Sequence, residues 1–82
     1  MNIVVTGASR GIGFELVKQF LNAGHNVFCL TRNLEPLKSI VHKNLKSIST
    51  DLSSQDSMNA AVDFIKKEFA HIDCIINNAG SL

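Results

Sequence analysis

A glycine-rich turn lies near the start of the chain, at residues Thr6-Gly7-Ala8-Ser9-Arg10-Gly11-Ile12-Gly13. It follows an apolar run and precedes an amphipathic stretch. Gly7 is expected to let the backbone turn sharply out of a strand, where other residues would be strained. Gly11 removes a side chain where the backbone can approach a pyrophosphate, and Gly13 allows a helix to pack close to a sheet. The turn therefore predicts a strand followed by a helix whose N-terminal N–H groups and dipole favour an anion.

Short apolar runs alternate with amphipathic stretches along the rest of the chain, a pattern typical of βαβ units around a parallel sheet. The second run, Val27–Leu30, is apolar throughout, as expected of a strand covered on both faces. The third run, Leu45–Ser49, is the weakest. Four strands are therefore predicted, at Ile3–Thr6, Val27–Leu30, Leu45–Ser49 and Ile72–Ile76.

Three helices are predicted between these strands. The first covers Ile12–Ala23 and stops at Gly24, and its apolar residues are Ile12, Leu16, Val17, Phe20 and Leu21. The second has Asn33 as its cap and Pro36 in its first turn, and its buried side is expected to be Leu37, Ile40 and Val41. The third starts from a Ser53 or Ser54 cap and has one apolar stripe, Met58, Ala61, Val62, Ile65 and Phe69.

The handedness of the connections completes this fold prediction. Crossovers between parallel strands are right-handed in about 98% of cases. With strand order 3-2-1-4, the first two helices lie on one face of the sheet and the third on the other. Strands 1 and 4 are then neighbours at a topological switch point, where such sheets bind ligands. The sequence predicts an α/β chain, a partial Rossmann fold occupying residues 1–82.

Composition excludes several classes of function. The 82 residues, 45% hydrophobic and 18% charged, are typical of a small soluble domain. A net charge of +1 without a basic cluster argues against a nucleic-acid partner. No apolar stretch reaches the ~20 residues of a membrane span, and no signal peptide is expected, so a cytoplasmic location is predicted. Cys29 and Cys74 lie inside apolar runs and are interpreted as buried small hydrophobes, with no metal site.

Three motifs together carry a resemblance to a known family. They are Thr-Gly-x-x-x-Gly-x-Gly from Thr6, Asp51-Leu52 after the third strand, and Asn77-Asn78-Ala79-Gly80 after the fourth. In this order and spacing the chain resembles the short-chain dehydrogenase/reductase family, in its ordinary reductase branch rather than the extended epimerase branch. The resemblance implies a dinucleotide cofactor and hydride transfer between nicotinamide and a carbonyl or alcohol. The alternative is that the glycines serve only the turn.

The resemblance also implies a role for each motif residue. The pyrophosphate and adenosine ribose would be lined by Gly7, Ala8, Ser9, Arg10, Gly11, Ile12 and Gly13. Asp51 would accept a hydrogen bond from the adenine amino group, and the Leu52 backbone would contact the ring. Asp51 could instead be a helix N-cap, although Ser53 and Ser54 are available for that role. The second ribose would lie against Asn78, Ala79 and Gly80, whereas Asn77 would tie the fourth strand to its neighbour.

The end of the second strand predicts which cofactor is preferred. NAD-dependent enzymes hold the adenosine 2′-hydroxyl with an Asp or Glu about 20 residues beyond the glycines. This chain has Arg32 there, and Arg10 within the glycine turn. Two guanidinium groups can clamp a 2′-phosphate, so NADP(H) is favoured over NAD(H). Alternatively, both arginines are solvated surface charges.

No catalytic residues are predicted. The family's chemistry implies a tyrosine with a lysine four residues later, and this sequence contains no tyrosine. His25, His42 and His71 are interpreted as surface residues. We therefore expect the chain to be the truncated cofactor-binding part of an oxidoreductase, inactive alone. An exposed fourth strand and an uncovered sheet face would favour self-association. The alternatives are a mis-annotated reading frame and a non-catalytic nucleotide-binding or self-associating module.

Overall fold

The computed structural model describes residues 1–7 and 11–77. In chain order its elements are β1 (Asn2–Thr6), α1 (Gly11–Asn22), β2 (Asn26–Thr31), a 3₁₀ helix (Glu35–Ser39), β3 (Leu45–Ser49), α2 (Gln55–Glu68) and β4 (Cys74–Asn77). The four strands form one parallel sheet in the order β3-β2-β1-β4, which confirms the predicted topology. All four strands therefore end at the same edge of the sheet.

Alternating side chains of the central strands β1 and β2 are buried on opposite faces of the sheet. Ile3, Val5, Val27 and Cys29 pack with the α1 residues Val17 and Leu21 and with Leu37 of the 3₁₀ helix. On the other face Val4, Phe28 and Leu30 pack with Ala61 and Ile65 of α2 and with Phe69. The first two helical segments thus cover one face and α2 covers the other, as predicted. Each face of β1 and β2 needs an apolar cover because both faces carry hydrophobic side chains.

Phe28 is the centre of the core beneath α2. Its side chain is fully buried. Phe64 and Phe69 meet it edge to face, with ring centroids 5.6 and 5.9 Å away. Such geometry is favoured for aromatic pairs because the positive ring edge meets the negative ring face. These contacts fix α2 over β2 and so place the loop that precedes α2.

The length predicted for the second helix is wrong. Only the short 3₁₀ helix forms, with Pro36 in its first turn and Leu37 buried. The backbone is already extended at Ile40, and Val41 is 95% exposed rather than buried. Because Ile40 and Val41 are both β-branched, they favour extended backbone over a further helical turn. The predicted Asn33 cap is also wrong, because Leu34 is the N-cap residue and makes no side-chain capping bond. Asn33 Oδ1 instead accepts a local hydrogen bond from the Glu35 N–H at 3.1 Å.

Two other apolar positions are more exposed than predicted. Ile12 is 75% exposed because it lies at the first turn of α1. Val62 is 40% exposed, since the buried side of α2 is the narrower stripe Ala61 and Ile65, continued by Phe69. Ser54, rather than Ser53, caps α2 by accepting a hydrogen bond from the Ser57 N–H at 3.3 Å. In residues 1–7 and 11–77, no helix has the length and apolar character to cross a membrane.

Candidate functional site

The glycine turn joins the end of β1 to the start of α1. Gly7 and Gly11 both have a φ of +65°, a conformation that strains residues with a side chain. The Gly7 N–H donates to the Leu30 carbonyl at 2.8 Å, which anchors the turn to the end of β2. Gly13 is buried, as expected for close packing of the helix on the sheet. The positive φ at Gly11 was missed by the sequence prediction, which explained that glycine only by close approach of a ligand.

Space is open above Gly11. Among the described residues, a Cβ atom built on Gly11 would meet no atom within 4 Å beyond its chain neighbours and the backbone of its own helix. By helix geometry, the N–H groups of the first turn of α1 have no partner within the helix. The first turn carries no acidic side chain. The helix dipole and these donors therefore favour an anion here. Ala8, Ser9 and Arg10, predicted at the same site, lie outside the described residues.

The turn also borders a shallow depression along the exposed side of α1. Its lining is Gly11, Ile12, Phe14, Glu15, Leu16 and Gln19. Gly11 and Ile12 are the only members of this set that the sequence analysis assigned to the cofactor. The depression therefore adjoins the predicted site rather than coinciding with it.

Thr6 and Asn77 connect the two strands at the switch point. They are register partners at the ends of β1 and β4. The Thr6 hydroxyl, largely buried, donates to Asn77 Oδ1 at 3.1 Å, with the Ile76 carbonyl 3.4 Å away. This contact agrees with the structural role predicted for Asn77 and adds Thr6, whose partner no local sequence signal identifies. Asn78, Ala79 and Gly80 lie outside the described residues.

Asp51 follows β3 and is held by a tight local turn. Its Oδ1 accepts hydrogen bonds from the Ser53 hydroxyl at 2.6 Å and the Ser53 N–H at 3.0 Å. Arg32 Nη2 donates to the same oxygen at 2.9 Å. The Ser53 bonds, with a further contribution from Arg32, lower the pKa of Asp51 to about 2 because they favour the ionised carboxylate. Since Ser54 is the cap of α2, Asp51 is not needed as an N-cap.

Arg32 and Asp51 are thus brought together, although they were predicted as separate contacts. The side chain of Arg32 is 75% exposed and that of Asp51 is 46% exposed. Two hydrogen bonds hold their positions. The Thr50 N–H donates to the Thr31 carbonyl at 2.9 Å, and the Ser49 side-chain hydroxyl donates to the Arg32 carbonyl at 3.1 Å. The sequence analysis looked for an acidic residue only at the end of the second strand, where Arg32 lies. The structure supplies one from the loop after β3.

Leu52, the neighbour of Asp51, is half-buried and packs against the core beneath α2. Its side chain therefore helps to fix the loop that carries Asp51. The predicted contact between the Leu52 backbone and an adenine ring stays a prediction.

The cysteines and histidines lie in structural or surface positions. Cys29 is buried, and burial raises the pKa of its thiol to about 12, so it is interpreted as an inert core residue. Cys74 is only half-buried. Of the three histidines predicted at the surface, His71 is exposed and pairs with Asp73 at 3.3 Å, whereas His25 and His42 are half-buried. Residues 1–7 and 11–77 contain no group of side chains suited to a metal ion.

Residues 1–82 match the sequence model of the short chain dehydrogenase family. Chloroplastic chlorophyll(ide) b reductase NOL of Oryza sativa subsp. japonica is 36% identical, with 98% of this chain and 26% of that protein covered. Among solved structures, menthone neomenthol reductase from Mentha piperita is 34% identical with a TM-score of 0.85, covering 98% of this chain and 31% of that one. An actinorhodin polyketide ketoreductase solved with NADPH is 26% identical with a TM-score of 0.84, covering 98% and 33%.

This chain therefore spans between 26% and 33% of the length of these three relatives. The match to the family model extends over every residue of the chain. It includes the glycine turn, the loop after β3 and the end of β4, which are the three places where the sequence motifs lie. The chain belongs to the short-chain dehydrogenase family of oxidoreductases.

Proposed function

We propose that this chain binds NADP(H) and forms the cofactor-binding part of an enzyme that transfers hydride between nicotinamide and a carbonyl or alcohol. The observation that carries the proposal is the glycine turn. Gly7 and Gly11 have the positive φ that such a turn needs, and the space above Gly11 is open. The N-terminal end of α1 favours the negative charge of a pyrophosphate. A related ketoreductase has been solved with NADPH, which supports the choice of ligand class.

Preference for the phosphorylated cofactor is inferred from Arg32. Its guanidinium lies at the end of β2, largely exposed, where the adenosine ribose is expected. A guanidinium can hold a phosphate through two parallel hydrogen bonds. We expect NADPH to bind at least tenfold more tightly than NADH, a difference of about 1.4 kcal/mol.

Isothermal titration calorimetry with both cofactors tests the proposal. Arg32→Asp should reverse the order of affinities, because a carboxylate repels a 2′-phosphate and accepts a hydrogen bond from a 2′-hydroxyl. Lys43→Asp is the matched control, since Lys43 is exposed in the turn before β3, at the amino ends of the strands rather than at the carboxyl ends where Arg32 lies. Equal affinities of the unmodified chain for NADPH and NADH would contradict the preference. Binding of neither would contradict the function.

Catalysis is not expected from these residues alone. The sequence has no tyrosine to act as the proton donor that the family resemblance implies. Mixed with NADPH and a panel of carbonyl compounds, the chain should oxidise NADPH no faster than the uncatalysed background. Steady oxidation that scales with the concentration of this chain would show that another residue supplies the proton.

A self-associating module is the second candidate, and the exposure of β4 favours it. Among the described residues, β4 pairs only with β1, and Ile75 in its middle is 62% exposed. Open strand edges and exposed apolar side chains both promote association. Sedimentation velocity at micromolar concentration should show dimers or larger species that Ile75→Lys reduces. Val41→Lys, at a site 95% exposed and away from β4, is the control. A monomeric unmodified chain would contradict this candidate.

A further inference from the structure

The ion pair between Arg32 and Asp51 joins two groups that are each expected to contact the adenosine end of the cofactor. Arg32 Nη2 lies 2.9 Å from Asp51 Oδ1. The sheet presets this contact, because the ends of β2 and β3 are tied by the Thr50 N–H to Thr31 carbonyl bond and by the Ser49 hydroxyl to Arg32 carbonyl bond. Strand pairing therefore places the carboxylate beside Arg32.

The charge of Asp51 does not depend on Arg32. Both Ser53 donors, the hydroxyl at 2.6 Å and the N–H at 3.0 Å, reach the same carboxylate oxygen. The Asp51 N–H itself donates to Ser57 Oγ at 2.9 Å, which fixes the backbone of the loop on α2. If Arg32 turns away, the carboxylate keeps its position and its negative charge.

We propose that Asp51 is the built-in counterion of Arg32 and limits the preference of the site for a phosphorylated adenosine 2′ position. The inference rests on the proposed function and adds a specificity-determining residue to it. A 2′-phosphate must compete with Asp51 for the guanidinium, whereas a 2′-hydroxyl needs no such exchange. The negative carboxylate also repels a group carrying nearly two negative charges.

The two cofactors differ only at this 2′ position, which allows the effect to be isolated. Any contact between Asp51 and adenine is the same for NADPH and NADH, so losing it weakens both by the same factor. The ratio of the two affinities therefore reports the charge effect alone. Exposed charge pairs of this kind change affinities by about two- to fivefold.

The experiment is calorimetric titration of NADPH and NADH into the unmodified 82-residue chain and into Asp51→Asn. The ratio of NADPH to NADH affinity should rise about two- to fivefold in Asp51→Asn. Asp63→Asn removes one negative charge from an exposed position on α2 and should leave the ratio unchanged. Circular dichroism checks folding. If Asp51→Asn is unfolded, Asp51→Ser retains an oxygen acceptor for the Ser53 N–H and is used in its place.

Each outcome bears on the inference. An unchanged ratio, with both cofactors weakened equally, would mean that Asp51 contacts only adenine and would overturn it. A lower ratio would mean that Asp51 positions Arg32 for the phosphate, which would also overturn it. Failure of the unmodified chain to bind either cofactor would overturn the proposed function itself, a result distinguishable from both.

Discussion

Substituting Gly11 separates what this glycine does for the backbone from what it does for a ligand. Gly11 has a φ of +65°, and in the part of the chain that the structure describes a Cβ there would meet no atom within 4 Å beyond its chain neighbours and its own helix backbone. Gly11→Ala should therefore cost only the backbone strain of a left-handed residue, about 1–2 kcal/mol. For a domain of this size, each kcal/mol lowers the melting temperature by about 4–8 °C. A pyrophosphate in that space would meet the new methyl group directly.

Gly24 offers a matched control. It lies just after α1 with a φ of +89°, and a Cβ there also meets nothing within 4 Å. Gly24→Ala should lose a similar amount of stability, yet it lies at the opposite end of α1 from the glycine turn. Thermal unfolding followed by circular dichroism should thus show comparable losses in both variants. Titration with NADPH should show at least tenfold weaker binding for Gly11→Ala only.

Two results would refute this reasoning. If Gly11→Ala binds NADPH as tightly as the unmodified chain, the space above Gly11 is not where the pyrophosphate lies. If Gly24→Ala weakens binding equally, the loss follows stability rather than the site. Titrations at a temperature where both variants are fully folded prevent partial unfolding from imitating weak binding.

Two further predictions concern stability. Phe28→Ala should lower the free energy of unfolding, measured by urea denaturation, by about 3–5 kcal/mol, since it empties a fully buried position. Phe64→Ala, at a residue 43% exposed, should lower it clearly less. Equal losses in the two variants would be inconsistent with the packing described. The pKa of Asp51 is lowered from 3.8 to about 2, so its contribution to stability is complete above about pH 4 and is lost as the pH falls towards 2. Urea midpoints at pH 5 and pH 3 should therefore differ less in Asp51→Asn than in the unmodified chain, and an equal difference would argue against the Asp51 contacts.

Local patterns were sufficient to predict most of the architecture. Glycine spacing marks the turn because only glycine adopts the backbone at Gly7 without strain. Strand β2 was recognised because a short run of residues that is apolar throughout is typical of a strand buried on both faces. For strand order 3-2-1-4, the face that each helix covers follows from the handedness of crossovers, a property of every L-polypeptide. These signals act over neighbouring residues or over general chain geometry, so they can be read without coordinates.

Contacts between distant residues depended on how the chain packs. Val41 was predicted on a buried helix face because its spacing fits, but the helix ends early and the side chain points to solvent. Thr6 meets Asn77 across 71 positions in the sequence. Arg32 meets Asp51 because parallel pairing brings the carboxyl ends of β2 and β3 to one edge of the sheet. Residue type and spacing predicted Arg32 as a ligand contact, and the family resemblance implied one for Asp51. The short distance between their side chains arises only when the strands pair.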